Sequence, residues 1–407
     1  MVTAFWNSEL KQWLDERSLA LGFDLAGIAS VDGLDRPAEA EDAARFEAWV
    51  ESGRAGEMEY LKRRDEGGRL LRSSVRVSQP WANSVIVCAM NYSTPGPLSV
   101  EQAPPSAGWI ARYAWSGQAR DPETGQARDP EAAAGPLQPT DYHDFLLTRL
   151  KQLARDLEGL AGSESRCYVD TGPFVERSLA ARAGIGWIGK NTCLLNQEKG
   201  SWLLLGVIIS SLRMPFDLAG SLAADRCGSC TRCIDACPTE ALTAPHQMDA
   251  SRCIAYLTIE KKGSIAPELR ASIGRQVFGC DICQDVCPWN RHSSTANESQ
   301  ITPRRELINP ELEWLALMDA TAFKHWFKGS PLERTRRSRL HRNVAIAMGN
   351  SQQQRFVSQL RAWSEGDDPV VAEASRWALH RIEGHAQDSD SPDHLAPHAD
   401  APAAVSS

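Results

Sequence analysis

Eight of the eleven cysteines in this 407-residue chain fall between positions 227 and 287, and that crowding limits what the chain can fold into more than any other feature. They form two runs, Cys227-x-x-Cys230-x-x-Cys233-x-x-x-Cys237-Pro238 and Cys280-x-x-Cys283-x-x-x-Cys287-Pro288, with Cys253 between them. A reducing cytosol leaves few disulfides, so clustered thiols point to metal or redox chemistry. Structural zinc needs four ligands, usually from two Cys-x-x-Cys pairs, whereas here a C-x2-C-x2-C-x3-C-P run stands intact. In that iron-sulfur signature three thiolates converge on one cluster and the cysteine before proline ligates the other. The count closes on two 4Fe-4S clusters. Cys227, Cys230, Cys233 and Cys287 are expected on one, and Cys237, Cys253, Cys280 and Cys283 on the other, Cys253 replacing the first cysteine that the second run lacks. Structural zinc or thiols that merely pack are the alternatives. Clusters pass single electrons, so two in series suggest a wire feeding a reaction centre elsewhere in the chain.

The rest of the chain suffices for two to three domains. With 42% hydrophobic and 24% charged residues it reads as folded and globular. Its longest apolar run, 202–212, is short of the roughly 20 residues that cross a bilayer. Glu9, Asp15 and Glu16 precede any apolar h-region, so no secretory signal is read and a cytoplasmic, membrane-free protein is expected. Residues 1–220 are expected to form an α/β (α+β) domain. Its cues are an amphipathic opening (Phe5, Trp6, Leu10, Trp13, Leu14), strands at 84–90, 166–170 and 202–210, and a helix over 142–160. The stretch 94–140 reads as an inserted surface loop, since it is rich in Pro, Gly and Ala and repeats GQARDPET as GQARDPEA over 117–132. A ferredoxin-like two-cluster unit over 221–300, a helical HEAT-like unit over 301–383 and a disordered tail over 384–407 complete the expected plan.

Two further segments carry possible chemistry. Asp170 ends a strand and opens Asp170-Thr171-Gly172-Pro173, and a carboxylic acid beside an apolar ligand can protonate a leaving oxygen. The competing reading is an Asx-type turn or an N-cap for a helix starting near Phe174. The turn Gly184-Ile185-Gly186-Trp187-Ile188-Gly189-Lys190-Asn191-Thr192 has glycines spaced for close approach to a ligand, yet it lacks the ribose-binding acid of a dinucleotide site and the hydroxyl of a P-loop. Net charge is −8, which argues against a nucleic-acid grip over the whole surface, but residues 301–363 hold eleven Lys and Arg against five Asp and Glu. Arg334, Arg336, Arg337, Arg339 and Arg342 crowd there, near Arg304, Arg305, Lys324 and Lys328, while Lys261 and Lys262 lie beside the cysteine segment. Arginine forks suit phosphate oxygens, and a solvated, ion-paired face is the plainer reading.

The cysteine runs, VDTGPFVER (169–177), AGIGWIGKNT (183–192), RYA (112–114) with DYH (141–143), and GSPLERTRRSRLHRNVAIAMGN (329–350) together resemble the epoxyqueuosine reductases. The resemblance implies a cobalamin-dependent oxidoreductase with two 4Fe-4S clusters that removes the epoxide oxygen from epoxyqueuosine in a tRNA anticodon, completing queuosine biosynthesis. It implies Asp170 as proton donor, buried beside its ligand, and Tyr113, Asp170, Lys190, Asn191, Thr192 and Leu194 along the corrin. It also implies tRNA contacts from Lys261, Arg334, Arg336, Arg337, Arg339 and Arg342, an external low-potential electron donor and a monomer. The insert separates RYA from DYH, which the family keeps nearly adjacent, and a loop-out that leaves the pocket intact is expected. Rival readings are a cobalamin-dependent reductive dehalogenase-like enzyme, an iron-sulfur electron-transfer subunit and a zinc-stabilised RNA-binding protein.

Overall fold

A computed structural model describes residues 5–31, 37–119, 136–215, 222–296 and 298–389. Its N-terminal part is built on four strands, β1 (Leu25–Ser30), β2 (Ser84–Asn91), β3 (Ser165–Tyr168) and β4 (Leu203–Ser210), in the order β1-β2-β4-β3. All three pairings are antiparallel, with Ser84 opposite Ser210 and Leu25 opposite Ala89. The sheet is thus not of the parallel, doubly wound kind, so the placement of Asp170 owes nothing to a parallel-sheet crevice. Both faces are covered, which is why β2 and β4 read as unbroken apolar runs.

On one face Ile86, Cys88, Met90, Leu204 and Ile208 meet helices α1 (Ser8–Ala20) and α2 (Tyr142–Ala161). On the other, Val85, Val87, Ala89, Val207 and Ile209 meet helix α3 (Glu176–Arg182). Leu146, Leu150, Leu153 and Leu157 put an i, i+4, i+7, i+11 stripe of α2 against the sheet. Asp141 caps that helix by accepting the His143 N–H at 3.1 Å, and Gly162 ends it at φ 63°. Trp6 and Leu14 are buried as expected, whereas Phe5 is exposed.

The C-terminal part consists of helices α4 (Arg336–Ser351), α5 (Val357–Ser364) and α6 (Pro369–Ser389), with α6 packed against both α4 and α5. From Leu340 to Gly349 every residue of α4 is buried, so α4 is a core helix rather than a surface one. Its apolar cluster crosses the boundaries expected at 220 and 300: Val344, Ile346 and Met348 share one core with Ile254, Leu257, Val277 and Phe278, and with Ile110 and Trp115. Trp109–Ile110 pairs in parallel with Gln276–Phe278, and Asn343 Nδ2 donates to the carbonyls of Thr258 and Val277, both at 2.8 Å. The tail expected to be disordered from 384 is helical as far as Ser389. Ala378 and Ile382 anchor α6 in the core, and extending a formed helix by a turn is far cheaper than nucleating one. Residues 390–407 and most of the 117–132 repeat lie outside the described residues.

Candidate active site

Asp170 follows β3 at φ 55°, a left-handed conformation uncommon for a residue with a Cβ. The Tyr142 hydroxyl donates to its Oδ2, and His143 Nε2 lies 3.5 Å from the same oxygen. The imidazole is held from behind, its Nδ1 2.8 Å from Asp141 Oδ1 and 3.0 Å from Arg334 Nη2, while Arg334 pairs with Asp141. One helix start therefore supplies three consecutive residues: Asp141 the cap, Tyr142 the donor and His143 the neighbouring imidazole. Burial first, then the charge of Asp170, push the Tyr142 phenol well above its usual range. Burial alone would raise the Asp141 carboxyl, but His143 and Arg334 hold it below its ordinary value.

The N-cap reading of Asp170 fails, because α3 starts at Glu176 with Val175 as a cap that makes no side-chain bond. The expectation of a buried acid also needs correction: the Asp170 side chain is 46% exposed, open to a substrate. The more enclosed acid is the half-buried Glu176, which reading the sequence alone did not single out. Its Oε1 is sealed from solvent with no hydrogen-bond partner among the described residues, and its carboxyl lies against that of Asp170. Glu176 stands six residues after Asp170 in VDTGPFVER, and an acid so placed beside a candidate donor was the available signal.

The flanks of the insert come back together. Ser116–Gln118 pairs with Gln138–Pro139, and the Tyr113 ring meets that of Tyr142 edge-on at 5.9 Å. Tyr113 also contacts Phe278 at 5.9 Å, two residues before Cys280, and so joins the acid to the cysteine segment.

Several of the eight thiols have neighbours from their own expected set. Cys233 has Cys227 and Cys230 as charged neighbours, and Cys287, pushed up to about 11 by burial, has Cys227 and Cys233. Cys280 is raised by burial and then by Cys253, with Cys237 close by, and Cys283 has Cys280 and Cys253 as neighbours. This donor set suits two four-thiolate clusters. Cys193, given no role by the sequence, neighbours Cys283.

The glycine turn serves the protein itself. A Cβ on Gly186 would sit 2.0 Å from the Leu195 carbonyl oxygen, and one on Gly189 would meet Leu195 Cδ1 at 2.3 Å, so these glycines close a tight hairpin rather than admit a ligand. The turn is fastened to the cysteine segment: Lys190 Nζ donates to the Gly228 carbonyl at 2.6 Å and Asn191 Nδ2 to that of Cys283 at 3.4 Å. Asn191 at 3% and Leu194 at 4% exposure cannot line a large pocket. Tyr113, Lys190 and Thr192 keep some surface.

The arginines divide. Arg342 is 0% exposed and donates to the carbonyls of Leu257, Lys261 and Gly263 at 2.6–2.7 Å, so it cannot touch RNA. Arg339 donates to the carbonyls of Thr335 and Ile259, both at 2.7 Å, and Arg304 is buried with Glu306 and the Trp326 carbonyl. These three dock the helices onto the rest of the protein, correcting their expected role as phosphate contacts. Lys261 is paired with Glu57, and Arg334 belongs to the Asp141–His143 network. Arg336, Arg337, Arg305, Lys324 and Lys328 are exposed.

A family model described as epoxyqueuosine reductase QueG, DUF1730 matches residues 72–171, and one described as a 4Fe-4S double cluster binding domain matches residues 226–290. The chain is 36% identical over 378 residues to the epoxyqueuosine reductase of Pseudomonas aeruginosa, across 92% of this chain and 95% of that protein. This chain belongs to the epoxyqueuosine reductase family. The Escherichia coli epoxyqueuosine reductase is 33% identical over 373 residues, covering 91% and 88% of the two chains. The solved structure of an epoxyqueuosine reductase with an epoxyqueuosine-modified tRNA-Tyr stem loop superposes with a TM-score of 0.77 at 26% identity, over 95% of each chain. The double-cluster match spans all eight of these cysteines, those of the two runs and Cys253 between them. Among the described residues no helix is long and apolar enough to cross a membrane.

Proposed function

We propose that this chain reduces epoxyqueuosine to queuosine in tRNA, with Asp170 as proton donor. Tyr113 carries the reading: it contacts Tyr142, the donor to Asp170, on one side and Phe278, beside Cys280, on the other, so proton chemistry and electron supply meet at one side chain. The exposed Arg336 and Arg337, with Arg305, Lys324 and Lys328, are available to hold the anionic RNA backbone, which is recognised largely through its shape and phosphates. Asp170, held in its strained conformation with Tyr142 and His143 against Oδ2, protonates the oxygen leaving the epoxide. Asp141 and Arg334 fix the His143 ring. The clusters, held by the two thiol groups, supply electrons one at a time from an external low-potential donor.

We assign cobalamin as the second cofactor on the family resemblance. The part-exposed Tyr113, between Tyr142 and Phe278, and the part-exposed Lys190 and Thr192, beside the cysteine segment, fit a corrin edge, whereas the buried Asn191 and Leu194 do not. When bound, the corrin supplies two-electron reduction of the epoxide. The test is anaerobic incubation of reconstituted protein with reductant, cobalamin and a stem loop carrying epoxyqueuosine, read by mass spectrometry of the nucleoside. Loss of one oxygen that depends on both cofactors is expected, and an unchanged nucleoside would overturn the reading.

A further inference from the structure

Converting an epoxide to an alkene breaks two carbon–oxygen bonds and makes water, so each turnover consumes two electrons and two protons. The clusters account for the electrons. Asp170 takes up one proton from solvent as the substrate arrives, and the second must reach the same oxygen once the substrate covers the 46%-exposed Asp170 side chain.

Three groups lie against Asp170. Tyr142 donates to Oδ2, but its phenol is raised well above the usual range, so it holds its proton tightly. His143 presents Nε2 at 3.5 Å, long for a hydrogen bond, with its other nitrogen occupied by Asp141 and Arg334. Glu176 is different. It projects from the first turn of α3 behind the loop, its carboxyl lies against the side chain and backbone of Asp170, and its Oε1 is buried with no partner among the described residues. Arg72 is the cation facing it; Arg72 donates to the Phe174 carbonyl at 3.0 Å and lies over Tyr60, itself pushed up to about 12 by burial and then by Glu260. Burial first, and then the neighbouring Asp170 carboxylate, raise the Glu176 carboxyl well above its ordinary range, the expected outcome where two carboxyls share one site.

We propose that Glu176 is a positioning and proton-reserve residue that returns a proton to Asp170 after its first transfer, so that one aspartate delivers both protons of the turnover. In the balance, the Glu176 O–H breaks as an O–H forms on the Asp170 carboxylate, Asp170 then protonates the oxygen a second time to release water, and solvent reprotonates the pair after product leaves. The proposal rests on the epoxide-reducing reading above.

The experiment compares wild type with Glu176→Gln and Glu176→Asp in reconstituted holoenzyme on the epoxyqueuosine stem loop. Glutamine keeps the shape but cannot pass the proton, so kcat is expected to fall about 100-fold, the usual worth of a positioned acid, with KM unchanged within about twofold. Glu176→Asp should recover part of kcat, and its pH profile should shift from that of wild type. A second readout needs no cofactor: infrared spectra of the apoprotein near neutral pH should show a protonated-carboxyl band that Glu176→Gln loses. Iron content and thermal unfolding report whether a variant folds. A Glu176→Gln enzyme with wild-type kcat and pH profile, or wild-type apoprotein whose spectrum does not change on the substitution, would overturn the proposal. Wild-type enzyme inert toward epoxyqueuosine would overturn the parent reading instead, and the infrared result would still stand.

Discussion

Replacing Arg342 by Met separates a structural arginine from an RNA-binding one. The guanidinium is fully buried and satisfies three main-chain carbonyls, of Leu257, Lys261 and Gly263, at 2.6–2.7 Å. Methionine follows much of the stem but leaves those acceptors unpaired, at about 2 kcal/mol each and so about 6 kcal/mol together. Offsetting this, burial has already pushed the Arg342 pKa from 12.5 down to about 10. At about 1.4 kcal/mol per unit, removing the cation relieves about 3 kcal/mol of desolvation. The net destabilisation is about 3 kcal/mol, or a Tm lower by roughly 4 °C. The companion variant, Arg336→Glu with Arg337→Glu, changes two exposed side chains, so its Tm should stay within about 1 °C of wild type. Its affinity for the stem loop should fall, and the slope of log K against log salt should flatten by about 1 for each phosphate no longer engaged. Calorimetry and a filter-binding salt series measure both. An Arg342→Met protein with wild-type Tm and weakened RNA binding, or an Arg336→Glu, Arg337→Glu protein with wild-type affinity and slope, would refute the division.

Asp170→Asn should abolish turnover while leaving iron content and visible spectrum intact, and a turnover near wild type would remove Asp170 from the mechanism. Cys253→Ala should lower iron from about eight to about four per chain, since each cluster takes its own four thiolates; loss of all iron with the fold retained would contradict the grouping. His341 is buried against Trp363, with its pKa lowered to about 4 by burial and then by the charge of Arg337. Its folded value lies below the unfolded 6.5, so the neutral ring favours the fold above that pH and stability drains as pH falls from 6.5 toward 4, by up to about 3 kcal/mol. His341→Phe should be flatter than wild type across that window in urea titrations, and parallel curves would exclude His341 as the source.

Spacing along the chain was enough to specify the strands expected at 84–90 and 202–210, found at 84–91 and 203–210, and the helix that DYH opens, because each depends on neighbours a few residues away or on a period of 2 or 3.6. Burial has no such local code. Arg336 and Arg342 look alike in RTRRSRLHR, yet fewer than two turns of helix separate the first, in water, from the second, in the core shared with Leu257 and Val344. The same holds for the glycines of GIGWIG, whose missing Cβ atoms face Leu195 of their own hairpin, and for Glu176, whose meaning comes from the Asp170 carboxyl against it. Which side chains lose water, and which charges must then share it or a proton, is settled by elements arriving from distant parts of the chain.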